Sequence, residues 1–192
     1  MVQDKQPTLK LLTIMITQKL IDTYLPRYSF SEYHETVINS SIENVYDKSK
    51  NFDLSKSNLI KWLFKVRGLP TKRMHLQDFI SDIGFTNIEE NRPVENLIGF
   101  WSGYKIEPIA TPDDFTNHAT SASIKGVWNF YLEALNSKQV RLSTETRILC
   151  LTPSANVTFA LYWMLIKPFS GLIRNRMLQI IKQDLEKDPQ NE

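Results

Sequence analysis

Hydrophobic and polar positions along the chain follow two different periods, and the order of these periods predicts the elements. After Pro26, residues 28–38 are rich in aromatic and β-branched side chains, which is typical of a strand. Ser40 and Glu43 then have the spacing of a capping box, which predicts a short helix ending near Tyr46.

Two further helices are predicted before the pattern changes. Ser55 can cap a helix over residues 56–67, which carries apolar residues at helical spacing and stops at Gly68. Apolar residues then recur at helical spacing over residues 76–83, and Gly84 supplies the glycine that often follows a helix.

Most of residues 85–150 favours antiparallel strands. Strands are predicted over residues 85–91 and 95–104, followed by an irregular segment over 105–119. Residues 127–135 and 140–150 then alternate in polarity on either side of a short polar loop. Two adjacent strands joined in this way predict a hairpin.

The chain ends in a long apolar helix that contains a proline. Thr152 can cap it, and residues 154–187 have a helical stripe of apolar residues. A straight helix of this length would extend about 50 Å, which exceeds a globule about 40 Å across. Pro168 inside a helix costs about 3 kcal/mol and bends it. We therefore predict a kink near Pro168, and Gly171 would allow a close backbone approach beyond it.

A strand, short helices, antiparallel strands and one long helix in this order predict an α+β fold, with the long helix covering the apolar face of the sheet. We divide the chain into an N-terminal helical extension (1–27), one domain (28–187) and a flexible tail (188–192). The extension is too interrupted by polar residues to span a bilayer. It is either an amphipathic helix docked on the domain or a peripheral membrane attachment.

Composition and charge exclude several classes of function. The chain has 192 residues, 42% hydrophobic, with a net charge of +2, so we expect no nucleic-acid partner. The single cysteine, Cys150, cannot form an internal disulfide and is expected to be a small buried hydrophobe. No metal spacing or cofactor motif is present, so we expect no metal and no cofactor. A chain without an internal disulfide is compatible with a reducing compartment, and we expect a cytoplasmic protein.

Three stretches of the second half carry a family resemblance: "VWNFYLEAL", "RLSTETRILC" and "YWMLIKPFSGLIRNRMLQIIK". With the order of elements, they resemble the START-like helix-grip (SRPBCC) superfamily, and more narrowly an uncharacterised bacterial subgroup of it. The resemblance implies a curved antiparallel sheet wrapped around the C-terminal helix. It also implies a cavity between the two, which in the superfamily holds lipids, sterols, polyketides and other apolar molecules.

The candidate ligand-binding residues follow from that architecture. Aromatic and apolar side chains of the hairpin and the long helix either pack as ordinary core or leave a gap that a ligand fills. The predicted set is His34, Phe100, Trp128, Phe130, Thr144, Thr146, Trp163, Met164 and Ile166.

Polar candidates each have two interpretations. His34 is either a hydrogen-bonded histidine of the strand or a polar anchor or general base inside the cavity. Glu145 and Arg147 share one face of a strand and form an outward ion pair, or turn inward if the register differs by one residue.

A basic cluster is either a solvated surface or a weak contact with an anionic membrane near the cavity mouth. Its members are Lys61, Lys65, Arg67, Arg174 and Arg176.

The sequence therefore predicts binding or transfer of a small apolar or amphipathic ligand. One alternative is a cofactor-independent enzyme, of the cyclase, dehydratase or hydrolase type, that uses the same cavity. The other is a protein-interaction module without a small ligand. Two or more titratable groups converging on the cavity would favour catalysis, whereas a filled core would favour the interaction module.

Overall fold

The computed structural model describes residues 18–103, 106–107, 109–117 and 122–187. The helices are α1 (Leu20–Tyr24), α2 (Ile42–Lys50), α3 (Asn58–Val66), α4 (Leu76–Asp82), α5 (Pro112–Asn117) and α6 (Pro153–Glu186). The strands are β1 (Phe30–Ile38), β2 (Thr86–Asn91), β3 (Glu95–Ser102), β4 (Ile106–Glu107), β5 (Ile124–Asn136) and β6 (Gln139–Cys150).

The strands form one curved antiparallel sheet in the order β1-β6-β5-β3-β2, with β4 paired to β3. The predicted hairpin is confirmed: β5 and β6 pair along their whole length up to Asn136 and Gln139. β1 lies beside β6, so the first and last strands are neighbours. With α6 lying across the sheet, the fold is α+β with the helix-grip architecture that the sequence predicts.

The core lies between the inner face of the sheet and the helices α2, α3, α4 and α6. Phe130 and Leu142 on the sheet are buried against Phe52 and the last turns of α6. The buried residues of α6 begin only at Gly171. The long helix is therefore packed into the core through its second half.

The outer face of the sheet is also covered, by α1 and α5. The buried carboxylate of Glu95 accepts hydrogen bonds from the first amides of α1, Leu20 N at 2.6 Å and Ile21 N at 3.2 Å. These amides lack partners within the helix, so Glu95 fixes the start of α1 on the sheet. Residues 1–17 and 188–192 of the predicted extension and tail lie outside the described residues.

Two predicted helix starts are wrong by two positions or fewer. Ser41, not Ser40, caps α2 by accepting a hydrogen bond from Asn44 N at 3.3 Å. Ser57, not Ser55, caps α3, because Ser55 lies in a preceding 3-10 turn. The start of α6 is as predicted, with Thr152 as its cap. This helix continues without a break across Pro168, and the bend there stays a prediction.

Candidate functional site

A cavity of about 440 Å³ lies between the inner face of the sheet and α6, along the part of the helix from Phe159 to Met177. Strands β3, β5 and β6 form one wall, α6 forms the opposite wall, and α3 and α4 close one side. Its volume falls within the range of small-molecule sites, about 300–1,000 Å³.

The helix wall includes a row of residues spaced three or four apart, namely Phe159, Trp163, Ile166 and Ser170. This spacing places them on one face of α6. The Trp163 ring lies 5.7 Å from Phe159 and 6.1 Å from Phe30 of β1, measured between ring centroids. These aromatic contacts hold the first half of α6 over the edge of the sheet without filling the space beneath it.

The sheet wall is formed by aromatic rings and by the inward side chains of β6. Phe100 stacks on Phe85 with ring centroids 4.2 Å apart. A side chain at Gly126 would overlap the Phe100 ring, so this glycine allows the ring to lie flat on the sheet. Trp128 and Thr146 continue the wall toward α6.

Five of the nine predicted ligand-binding residues lie in the cavity wall: Phe100, Trp128, Thr146, Trp163 and Ile166. Trp128 and Thr146 are directly opposite each other in the β5–β6 hairpin, where the strand alternation is regular. Whether they bind a ligand stays a prediction.

Met164 was predicted to lie in the cavity wall, and this placement is wrong, because its side chain is 67% exposed. It follows Trp163 in the helix, so it points about 100° away from the wall. Phe130 does not line the cavity either, because it is fully buried in the adjacent core against Phe52, with ring centroids 6.2 Å apart.

Thr144 faces inward but its hydroxyl is fully used. It donates to the Asn129 carbonyl oxygen at 2.8 Å and accepts from Trp128 Nε1 at 2.7 Å. This residue therefore orients the Trp128 ring and does not line the cavity.

His34 lies on the inner face of β1 beside the cavity and not in its wall. Its Nε2 is 2.9 Å from Glu32 Oε1, and the Glu32 side chain is only 7% exposed. A Cβ on Gly171 would meet Glu32 Oε1, so the glycine permits the close approach of α6 to β1 that the sequence predicts. The Glu32–His34 pair is thus enclosed between the strand and the helix.

Two arginines in the cavity wall were missed as ligand-binding candidates, Arg67 and Arg174. Arg67 Nη2 donates to the hydroxyl of Tyr162 at 2.7 Å, and the exposed Tyr162 also lines the cavity. This pair therefore lies where the cavity meets solvent. Arg174 follows Ser170 by four residues, so the same helical spacing that identifies Trp163 could have identified it.

The Arg174 guanidinium lies 3.8 Å above the centroid of the Trp128 ring. Burial lowers the pKa of Arg174 to about 9, an effect that the carboxylate of Glu32 opposes and the Arg67 cation increases. The side chain is therefore still a cation at neutral pH. Its Nη1 atom is buried and has no hydrogen-bond partner among the described residues, and the same holds for Thr146 Oγ1.

The basic cluster that the sequence proposes as a membrane contact does not form one surface. Arg174 is directed into the cavity, and Arg67 lies at its edge. Arg176 bonds to Ser57 Oγ at 3.3 Å and to Gln179 Oε1 at 2.9 Å. Lys65 is exposed and Lys61 partly so, and membrane contact through them stays a prediction.

Glu145 and Arg147 face outward, as the predicted alternation requires, and Arg147 Nε lies 2.6 Å from Glu145 Oε1. The pair is not a solvated one, however, because α1 covers it. Arg147 also pairs with Asp22 of α1 at 2.7 Å and donates to the Leu25 carbonyl at 3.2 Å. The pair therefore attaches α1 to the sheet and is remote from the cavity.

Cys150 is partly buried at the end of β6, where burial raises the pKa of its thiol and so disfavours the reactive thiolate. Across the described ranges, no three His, Cys, Asp or Glu side chains are placed to hold a metal ion. No helix within those ranges is long and apolar enough to cross a membrane.

Neither a protein-family model nor a curated protein matches the chain. Solved structures that resemble it include norcoclaurine synthase from Thalictrum flavum (7% identity, TM-score 0.40), over 82% of this chain and 94% of that one. The aromatase/cyclase ZhuI from a Streptomyces species shares 10% identity (TM-score 0.33) over 80% and 94% of the two chains.

The di-domain ARO/CYC protein BexL shares 11% identity (TM-score 0.33), over 83% of this chain and 48% of its own. The chain thus spans about half the length of BexL. Similarities of this size say nothing about the activity of this chain.

Proposed function

We propose that the protein binds or transfers a small apolar or amphipathic molecule in the cavity between the sheet and α6. The observation that carries the proposal is the cavity itself, about 440 Å³ with walls that are mostly aromatic and aliphatic. Such walls favour an apolar ligand because its burial removes apolar surface from water, at roughly 25 cal/mol per Å².

A cofactor-independent enzyme in the same cavity is the second candidate, and the Glu32–His34 pair favours it. A carboxylate 2.9 Å from an imidazole nitrogen is an arrangement that can support general acid–base catalysis. Neither residue lines the cavity, however. Three ionisable groups do, Arg67, Arg174 and Tyr162, but they include no carboxylate or imidazole, and two of them are guanidinium cations suited to binding an anion. Binding is therefore the better-supported function. The interaction module without a ligand would call for a filled core at this position.

Native mass spectrometry of freshly purified protein tests the proposal directly. We expect a co-purified small amphiphile, or uptake of the neutral fluorescent probe N-phenyl-1-naphthylamine with displacement by 1-decanol. Failure of both experiments would overturn the proposal and favour the interaction module.

Two variants of adjacent residues on α6 localise the binding. Trp163→Ala should weaken probe binding several-fold, and should lower the free energy of unfolding by less than the about 3–5 kcal/mol expected of a core tryptophan. Met164→Ser is the matched control, because its exposed side chain lies outside the cavity, and it should bind the probe as the unaltered protein does. Equal effects of the two variants on probe binding would place the ligand elsewhere.

A further inference from the structure

The cavity contains a positive charge that has no hydrogen-bond or ion-pair partner among the described residues. The Arg174 guanidinium stacks on Trp128 at 3.8 Å, and the contact with the ring face stabilises the cation only partly. No ion pair or hydrogen bond to a described residue satisfies this side chain, and Nη1 is buried. A buried unpaired charge is costly, so buried arginines are normally paired.

The acidic group that acts on Arg174 makes no hydrogen bond or ion pair with it. Glu32 acts on it electrostatically, but Glu32 Oε1 is bonded to His34 and Oε2 is buried without a partner. Arg67 adds a second positive charge at the cavity edge. Around the cavity, therefore, two guanidinium groups face one enclosed carboxylate.

A second polar atom in the same wall also lacks a partner. The hydroxyl oxygen of Thr146 is buried and has no hydrogen bond among the described residues. Thr146 is directly opposite Trp128 in the β5–β6 pair. A ligand with hydrogen-bond acceptors could satisfy Arg174 and Thr146 together, whereas a pure hydrocarbon would leave both unsatisfied.

We propose that the ligand is an anionic amphiphile, with a carboxylate or phosphate group bound by Arg174 and an apolar body among the aromatic side chains. Arg67 lies at the cavity edge, where it attracts the anionic group as it enters. A guanidinium suits this role because it can donate two parallel hydrogen bonds to a carboxylate or phosphate. This inference rests on the proposed binding function and specifies the class of ligand.

The test compares probes that differ only in their head group. Decanoate, decyl phosphate and 1-decanol are titrated calorimetrically into the unaltered protein and into Arg174→Met. We expect the unaltered protein to bind at least one of the two anions about ten- to a hundredfold more tightly than the alcohol. In Arg174→Met this preference should disappear while 1-decanol still binds.

Controls separate a lost contact from a damaged fold. Arg176→Met removes an arginine on the same helix that is bonded outside the cavity, and the preference should remain. Arg174→Lys keeps the charge without the paired donors and should keep part of the preference. The unliganded Arg174→Met should melt no lower than the unaltered protein, because an unpaired buried charge is removed.

The outcomes distinguish this inference from the proposed function. Equal affinity for anions and alcohol, or a preference that survives in Arg174→Met, would overturn the inference and leave the proposed function in place. Absence of binding by every probe would overturn both. Displacement of decanoate by inorganic phosphate alone would identify a site for a free anion and overturn the assignment to an amphiphile.

Discussion

The two halves of α6 differ in how the rest of the protein covers them. From Gly171 onward the helix buries Ile173, Met177 and Ile181 in the core. Before Gly171 one face lines the cavity, while another exposes a stripe of apolar side chains. The stripe comprises Val157, Leu161, Met164 and Leu165, each at least 60% exposed. The first half of α6 thus forms only cavity wall and exposed surface, whereas the second half packs into the core and also lines the cavity through Ile173, Arg174 and Met177.

The apolar residues of α6 therefore do not all serve to bury the helix in the core. The second half has one apolar stripe facing the core, as expected of a helix that is covered on one side. The first half has two apolar faces. One faces the cavity, and the other faces solvent. Apolar exposure of this kind is typical of binding surfaces, and it accompanies the cavity here.

The largest effect on stability is expected from removing buried side-chain volume in the second half of α6. Ile181 is fully buried, so Ile181→Ala should lower the free energy of unfolding by about 2–5 kcal/mol, as a cavity replaces packed atoms. Urea denaturation measures the change. Ile181→Val is the graded control and should cost about 0.5–1.5 kcal/mol. A negligible loss in Ile181→Ala would mean that this half is not packed as described.

A smaller effect is expected from the ion pairs that attach the same half of α6. Asp184 lies 2.6 Å from Lys56 and 3.1 Å from Lys48. Partial burial acts to raise the pKa of Asp184, but the hydrogen bonds from the two lysines outweigh it and lower the pKa below its ordinary value. The stabilisation is therefore fully present above the unfolded-state pKa of about 3.9, and is lost as pH falls through the lower folded-state value.

Asp184→Asn should accordingly cost about 0.5–1 kcal/mol at pH 7, and its difference from the unaltered protein should shrink below about pH 4. Urea denaturation at both pH values measures this. Asp47→Asn is the control, because Asp47 is about half exposed in its pair with Arg92 and should change stability little. A deficit in Asp184→Asn that persists undiminished at low pH would contradict the assigned role of the ion pairs.

The sequence predicted the fold well because the elements follow simple periods. Alternation along β5 and β6 fixed both the hairpin and the inward position of Trp128 and Thr146. The C-terminal helix was equally evident, with Thr152 at its start. Such features depend on local spacing, which a sequence displays directly.

The site was predicted only in part because its chemistry depends on contacts between distant elements. Helical spacing favours Arg174 over Arg176 for the cavity side of α6, but only the folded structure shows that Arg174 lies over Trp128 and that Arg176 is bonded to Ser57. Met164 and Trp163 are both apolar and lie in a segment with two apolar faces. Periodicity alone therefore does not show which of the two side chains faces the cavity and which faces solvent. The burial of Arg147 depends on the docking of α1 on the outer face of the sheet, which local sequence patterns do not show.

The smallest effect is expected in the exposed stripe of the first half. Leu165 is 68% exposed, so Leu165→Ser should change the free energy of unfolding by no more than about 0.5 kcal/mol in urea denaturation. Its side chain has little packing to lose, and a polar residue suits a solvated position. A loss comparable to that of Ile181→Ala would show that the stripe is covered in solution. If that loss also grew with protein concentration, the cover would be a second copy of the chain, because association links stability to concentration. The contrast between the halves of α6 would then describe the isolated chain and not its assembly.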